Sequence, residues 1–221
     1  MTPRESHERD ADSIPRVPTL RTSDDPLGLA ASLLREAIAS VDRERVRVAI
    51  SGGSALRVWL RAELPWDRIH LTWVDERCVD HGDSASNRGE THRGRAERAA
   101  HELPLWLDDE DVDSALSRIR AGLRDDFDDR LDVTLLGMGG DGHIASLFPG
   151  RSWEGDRVLH VPDSPKPPAQ RMTLSHAMIA TASTHVLYAV GDSKTEAVER
   201  VMAGDPELPA STLDGLVIVR G

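Results

Sequence analysis

One histidine, His143, lies inside the glycine-rich stretch Gly137 to Gly150, GMGGDGHIASLFPG, directly after the apolar run Leu131 to Leu136. Glycines at 137, 139, 140 and 142 allow positive φ and close approach of a ligand, a freedom with an entropic cost where no turn or ligand needs it. An imidazole changes charge near neutral pH, which suits a general base working there, and Asp141 stands two residues before it. The pattern predicts a base at the carboxyl end of a strand, the edge at which open parallel sheets bind small molecules.

Ser51-Gly52-Gly53-Ser54 falls between the apolar run Val46 to Ile50 and a helical segment, so amide groups and the positive end of a helix converge there. That is a recipe for holding a phosphate, and a tight turn needing glycine is the plainer reading. The GxxxxGK[ST] spacing is absent and no GxGxxG opens a first strand–helix unit, so the ligand should be smaller than a dinucleotide. Asp75-Glu76-Arg77 follows the apolar run ending at Val74, on the same edge, as a ligand-facing loop or a solvated one with an internal ion pair. Of the 27 basic residues only Lys166 and Lys194 are lysines. Lys194 follows Gly191 in a first turn, and Arg171 adjoins a short strand. Each charge-assisted hydrogen bond contributes roughly 1.5 to 3 kcal/mol, so two cations beside the Ser51 to Ser54 amides are enough to anchor a phosphomonoester.

The elements that must carry these residues alternate between strand and helix. Residues 1 to 25 are polar and without period, and read as a flexible N-terminal arm; residues 26 to 221 form the catalytic domain. A helix is expected from Pro26 to Asp42, strands at Val46 to Ile50 and Ile69 to Val74, and between them a helix to about Glu63. Asp75 to Ser86 reads as a loop, Asn87 to His101 as a polar helix and Asp111 to Phe127 as an amphipathic one with an acidic first turn. Strands follow at Leu131 to Leu136, Val158 to Val161, Met172 to Ser175, His185 to Val190 and Leu216 to Val219, with a helix ending near Met202. Such alternation means βαβ units, a largely parallel sheet and right-handed crossovers.

Composition narrows the partners. A formal net charge of −11 and the acidic runs Asp108 to Asp113 and Asp125 to Asp129 argue against nucleic acid and anionic membranes. One cysteine, Cys78, excludes an internal disulfide, and neither HExxH nor a cysteine–histidine cluster occurs, so no metal is expected. No early apolar run follows a basic start and no span suits a bilayer, which points to the cytoplasm.

Together the segments SGGS at 51 to 54, WVDERCVD at 73 to 80, SN at 86 and 87, GMGGDGHIASLFPG, SPKPPAQRMTL at 164 to 174 and GDSK at 191 to 194 resemble the 6-phosphogluconolactonases, in the family that includes glucosamine-6-phosphate isomerases. The likeness spans about residues 26 to 213 and implies a single-domain, three-layer α/β/α fold with a largely parallel, Rossmann-like sheet. It implies hydrolysis of 6-phospho-D-glucono-1,5-lactone in the oxidative pentose phosphate pathway, without a cofactor, by a monomer or weak homodimer. Carried over, the Ser51 to Ser54 loop, Arg171 and Lys194 hold the 6-phosphate; Asp75, Arg77, Asn87 and Lys166 line the pocket; His143 is the base, oriented by Asp75 or Asp141. Deaminases of the family typically read DGHIAFNEP and DEY, whereas this chain reads DGHIASLFP and DER. An amino-sugar-phosphate isomerase and a non-catalytic sugar-phosphate sensor are the alternatives. Arg88 departs from the family, which commonly has an aromatic residue there, and the run Asp108 to Asp113 has no evident role.

Overall fold

The computed structural model describes residues 17–94 and 97–221. In chain order the elements are β1 (Thr19–Thr22), α1 (Pro26–Ala39), β2 (Val46–Ile50), α2 (Leu56–Arg61), β3 (Ile69–Trp73), β4 (Asp75–Arg77), α3 (Asn87–Gly94) and β5 (His101–Leu103). They continue as α4 (Val112–Phe127), β6 (Val133–Gly137), β7 (Val158–Val161), β8 (Arg171–Leu174), α5 (His176–Ile179), β9 (Thr184–Tyr188), α6 (Thr195–Met202) and β10 (Leu216–Arg220).

Seven strands form a parallel sheet in the order β1-β10-β9-β6-β2-β3-β5. All five residues of β2 are buried, as are the first four of β6, the signature of strands covered on both faces by helices. Helix α4 shows how the covering layer is built: Asp111 caps its start by accepting from the Ser114 N–H at 2.9 Å. Ala115, Ile119, Leu123 and Phe127, four apart, form its buried stripe. Each large side chain so buried contributes roughly 1.5 to 3 kcal/mol.

From β2 the chain builds outward through β3 to β5, then returns to lay β6, β9 and β10 on the other side. The order therefore reverses between β2 and β6, and the crevice at a parallel sheet's carboxyl edge opens at that switch point. The expected SGGS and GMGGDGH turns leave these two neighbouring strands, so residues 86 apart meet: the Gly137 N–H donates to Ser51 Oγ at 3.0 Å.

Four expectations change. The arm was drawn to residue 25, but Thr19–Thr22 is an edge strand parallel to β10. Its residues are all exposed, so backbone pairing alone makes it a strand and no apolar period announces it; residues 1–16 lie outside the described residues. Asp75–Arg77 is no loop but the strand β4, pairing antiparallel with β8 in a second sheet, β4-β8-β7. Val74 joins the two sheets, donating to Ile50 O and accepting from the Leu174 N–H. The polar helix expected to His101 is described over Asn87–Gly94, and His101–Leu103 is instead a strand that pairs with β3. Helix α2 is only six residues long after a 3₁₀ turn at Gly53–Ala55, so the Ser51 to Ser54 loop gains less from a helix dipole than its sequence suggests.

Candidate active site

The turn after β6 folds back on itself, with the Gly139 N–H donating to His143 O at 2.9 Å. His143 Nδ1 lies 2.5 Å from Asp141 Oδ1. A carboxylate only accepts, so Nδ1 carries the proton and Nε2 presents a lone pair. Nε2 has no partner among the described residues. Burial pulls the imidazole below its ordinary pKa against the opposing pull of Asp141, which favours the neutral base. Asp141 titrates below the ordinary carboxylate range: burial pushes it up, but the hydrogen bond from His143 and the nearby Lys166 outweigh that. The Phe148 ring packs 4.8 Å from the imidazole, and Ala145, with φ of +51°, turns the chain between them.

Opposite stands a wall built on β4 and β8. Arg171, 4% exposed, faces Asp75 Oδ2 at 3.5 Å, and Ser146 Oγ donates to the same oxygen at 2.7 Å. Asn87 Nδ2 donates to Asp75 O at 2.8 Å, leaving the buried Asn87 Oδ1 without a partner among the described residues. A side chain at Gly52 would fall 1.9 Å from that oxygen, so only glycine lets the loop approach it. Arg77 donates to Ala85 O, and its buried Nε is likewise unpartnered among the described residues. Lys194 reaches Ser54 Oγ at 3.3 Å, and burial lowers its pKa.

These groups enclose a cleft of about 170 Å³ lined by Ser51 to Ser54, Asp75, Arg77, Asn87, His143 and Arg171. That is smaller than the roughly 300–1,000 Å³ of drug-sized ligand sites and suits a small polar molecule. Lys194 sits at the rim beside Ser54. Two expected placements need correction. Lys166 is absent from the wall; its ammonium lies beside the imidazole, 3.3 Å from Nδ1 and 3.4 Å from Asp141 Oδ1. Asp75, offered with Asp141 as the orienting carboxylate, makes no hydrogen bond to His143, because Ser146, Arg171 and Asn87 hold it.

Three contributors escaped the sequence. Glu76 is buried and accepts the N–H groups of Arg77, Asn87 and Arg88 at 2.7 to 2.8 Å, which fixes Asn87 at the start of α3. Burial raises its pKa against those three donors. Ser146 and Phe148 are the others, and nothing local in SLFP signals partners on distant strands. The acidic run finds its role in the scaffold: Asp108 accepts from the His81 N–H and Glu110 grips Arg118 at 2.8 Å. Arg88 turns toward Glu102, away from the cleft. Among the described residues no three His, Cys, Asp or Glu side chains converge as a metal-binding group, and no helix is long and apolar enough to cross a membrane.

A family model described as glucosamine-6-phosphate isomerases/6-phosphogluconolactonase matches residues 26–217. The chain belongs to this family. A protein of Arabidopsis thaliana named probable 6-phosphogluconolactonase 2 is 31% identical over an alignment that covers 75% of each chain. The solved 6-phosphogluconolactonase of Thermotoga maritima has a TM-score of 0.82 over 92% of this chain and 99% of its own, at 23% identity. A monomeric glucosamine-6-phosphate deaminase reaches 0.75 over 91% and 96%, at 19%. The fold is therefore shared with both solved proteins and does not by itself choose between their activities.

Proposed function

We propose that this chain hydrolyses the 1,5-lactone of 6-phosphogluconate. His143 Nε2 takes a proton from water as the water oxygen attacks the C1 carbonyl. The tetrahedral oxyanion collapses, the bond from C1 to the ring oxygen breaks, and the imidazolium returns its proton to that oxygen, leaving an open-chain acid. Asp141 holds the ring in the required tautomer and steadies the imidazolium. The Ser51 to Ser54 loop and Lys194 grip the 6-phosphate, with Arg171, whose N–H donors are taken up within the protein, adding its charge from the wall. Asp75, Arg77 and Asn87 face the sugar, with Arg77 or nearby amides stabilising the oxyanion.

One observation carries the reading: the carboxylate-bound imidazole turns an unpartnered Nε2 to a cleft walled by the glycine loop and cations. The choice within the family follows from Phe148. It stands where deaminases of the DGHIAFNEP pattern have glutamate, and a phenyl ring against the base neither gives nor takes a proton. The relatives' names and the modest demands of an ester that also hydrolyses unaided agree with this.

Acid release from freshly prepared lactone tests it. The rate above background is expected to fall by roughly 10² to 10⁴ in His143→Ala. An unchanged rate refutes the base assignment, and ammonia release from glucosamine 6-phosphate in place of lactone hydrolysis overturns the choice of branch.

A further inference from the structure

The backbone of Lys166 is fixed at both its carbonyl and its N–H, while its side chain is half-exposed. Its carbonyl accepts from Ser164 Oγ at 2.9 Å and from Arg171 Nη2 at 3.0 Å, and its N–H lies 3.2 Å from Ser164 Oγ. Arg171 also donates to Pro167 O and Pro168 O. A buried guanidinium thus clamps three consecutive carbonyls, and from that fixed backbone the ammonium reaches Asp141 Oδ1.

The geometry matters because of what Asp141 does to the imidazole alone. A carboxylate at hydrogen-bond distance favours the imidazolium, which has no lone pair at Nε2 and is no base. The charged groups acting on His143 are Asp141 and, across the cleft, Asp75, both drawing a proton onto the ring, with Lys166 opposing them. The Phe148 ring covers the imidazole without charge.

We propose that Lys166 is a positioning residue, whose ammonium, carried on a clamped backbone, anchors the Asp141 carboxylate and offsets its charge, so that together with burial it keeps the imidazole neutral with Nε2 open. This rests on the base role given to His143 above. Lys166 touches neither the water nor the lactone carbonyl; it acts through Asp141 and the ring.

The test compares wild type, Lys166→Met and Lys166→Arg. In the free protein, the His143 titration followed by NMR and assigned by difference with His143→Gln is expected to rise by about 0.5 to 1 pH unit in Lys166→Met, the size for one partly solvated neighbouring charge. The acid limb of kcat/KM for the lactone moves up with it, KM stays within about threefold, and Lys166→Arg restores both. An unmoved titration overturns the proposal. So does a KM raised about tenfold with the limb in place, which makes Lys166 a direct substrate ligand. If wild type fails to hydrolyse the lactone, the lactonase reading falls, and the titration in the free protein still decides the role of Lys166.

Discussion

Gly139→Ala isolates the position of the base from the rest of the molecule. Gly139 is not among the glycines with positive φ, so its backbone tolerates an L residue. The added methyl would lie 2.2 Å from both Cε1 and Nδ1 of His143 and 2.4 Å from Asp141 Oδ1. Ordinary contact begins at 3.4 Å, so the ring must retreat by about 1.2 Å. A misplacement of about 1 Å can cost around 10²-fold in rate, and the retreat also pulls Nδ1 off the carboxylate. Folding should suffer less than catalysis: the collision is with the side chains of His143 and Asp141 and not with backbone, and alanine stiffens the unfolded chain by about 0.4 to 1 kcal/mol in the opposite direction. Steady-state lactone hydrolysis is expected to show kcat/KM down by about 10² with a nearly unchanged urea midpoint. The double variant with His143→Ala should be no slower than His143→Ala alone, since both act on one group. A Gly139→Ala enzyme within about threefold of wild type, or a further full loss in the double variant, refutes the reasoning.

Lys194→Ala is expected to raise KM for the phosphorylated lactone by about 10- to 100-fold, the loss of one charge-assisted contact, and to leave gluconolactone without phosphate unaffected; an equal rise for both would disprove the phosphate role. His185, fully buried with Nδ1 2.7 Å from Thr134 Oγ1, is pushed by burial from 6.5 down to about 4. The unfolded chain then binds the proton first as pH falls, so stability drops below about pH 6.5 and, between pH 7 and 5, by about 2 kcal/mol. Urea unfolding at the two pH values should show that loss in wild type and a smaller one in His185→Asn; identical losses would rule out His185 as the source.

Strands buried on both faces were legible because burial writes itself as an unbroken apolar run, as in β2 and β6. The short strands were not, because their state is decided by a partner. Asp75–Arg77 has the polarity of a loop and becomes a strand only beside β8, nearly a hundred residues on. Thr19–Thr22 and His101–Leu103 are edge strands whose pairing with β10 and β3 outweighs weak local preference. The site divides the same way. Glycine, histidine and lysine in telling positions announce themselves by type, whereas Glu76, Ser146 and Phe148 act by contacts that only the folded chain creates.

Asp75 and Asp141 were equal candidates to orient the base, and packing divides their labour. Asp75 is 5% exposed and is the counter-charge of a guanidinium buried at least as deeply. Swinging it to the imidazole would leave the buried Arg171 without its counter-charge, and breaking a buried pair in that way costs about 3 to 5 kcal/mol. It would also release the loop that Arg171 clamps and the Ser146 contact that ties the His143 turn to β4. Asp141 carries no such obligation. Its side chain is 43% exposed and lies on the turn shaped by Gly139 and Gly142, and its partners are the imidazole and Lys166. In the proposed reaction the new positive charge on His143 forms beside this carboxylate, whose attraction opposes the burial that disfavours the imidazolium. A buried carboxylate builds the wall and a half-exposed one is free to serve the proposed base, a division that leaves both the guanidinium and the imidazole paired.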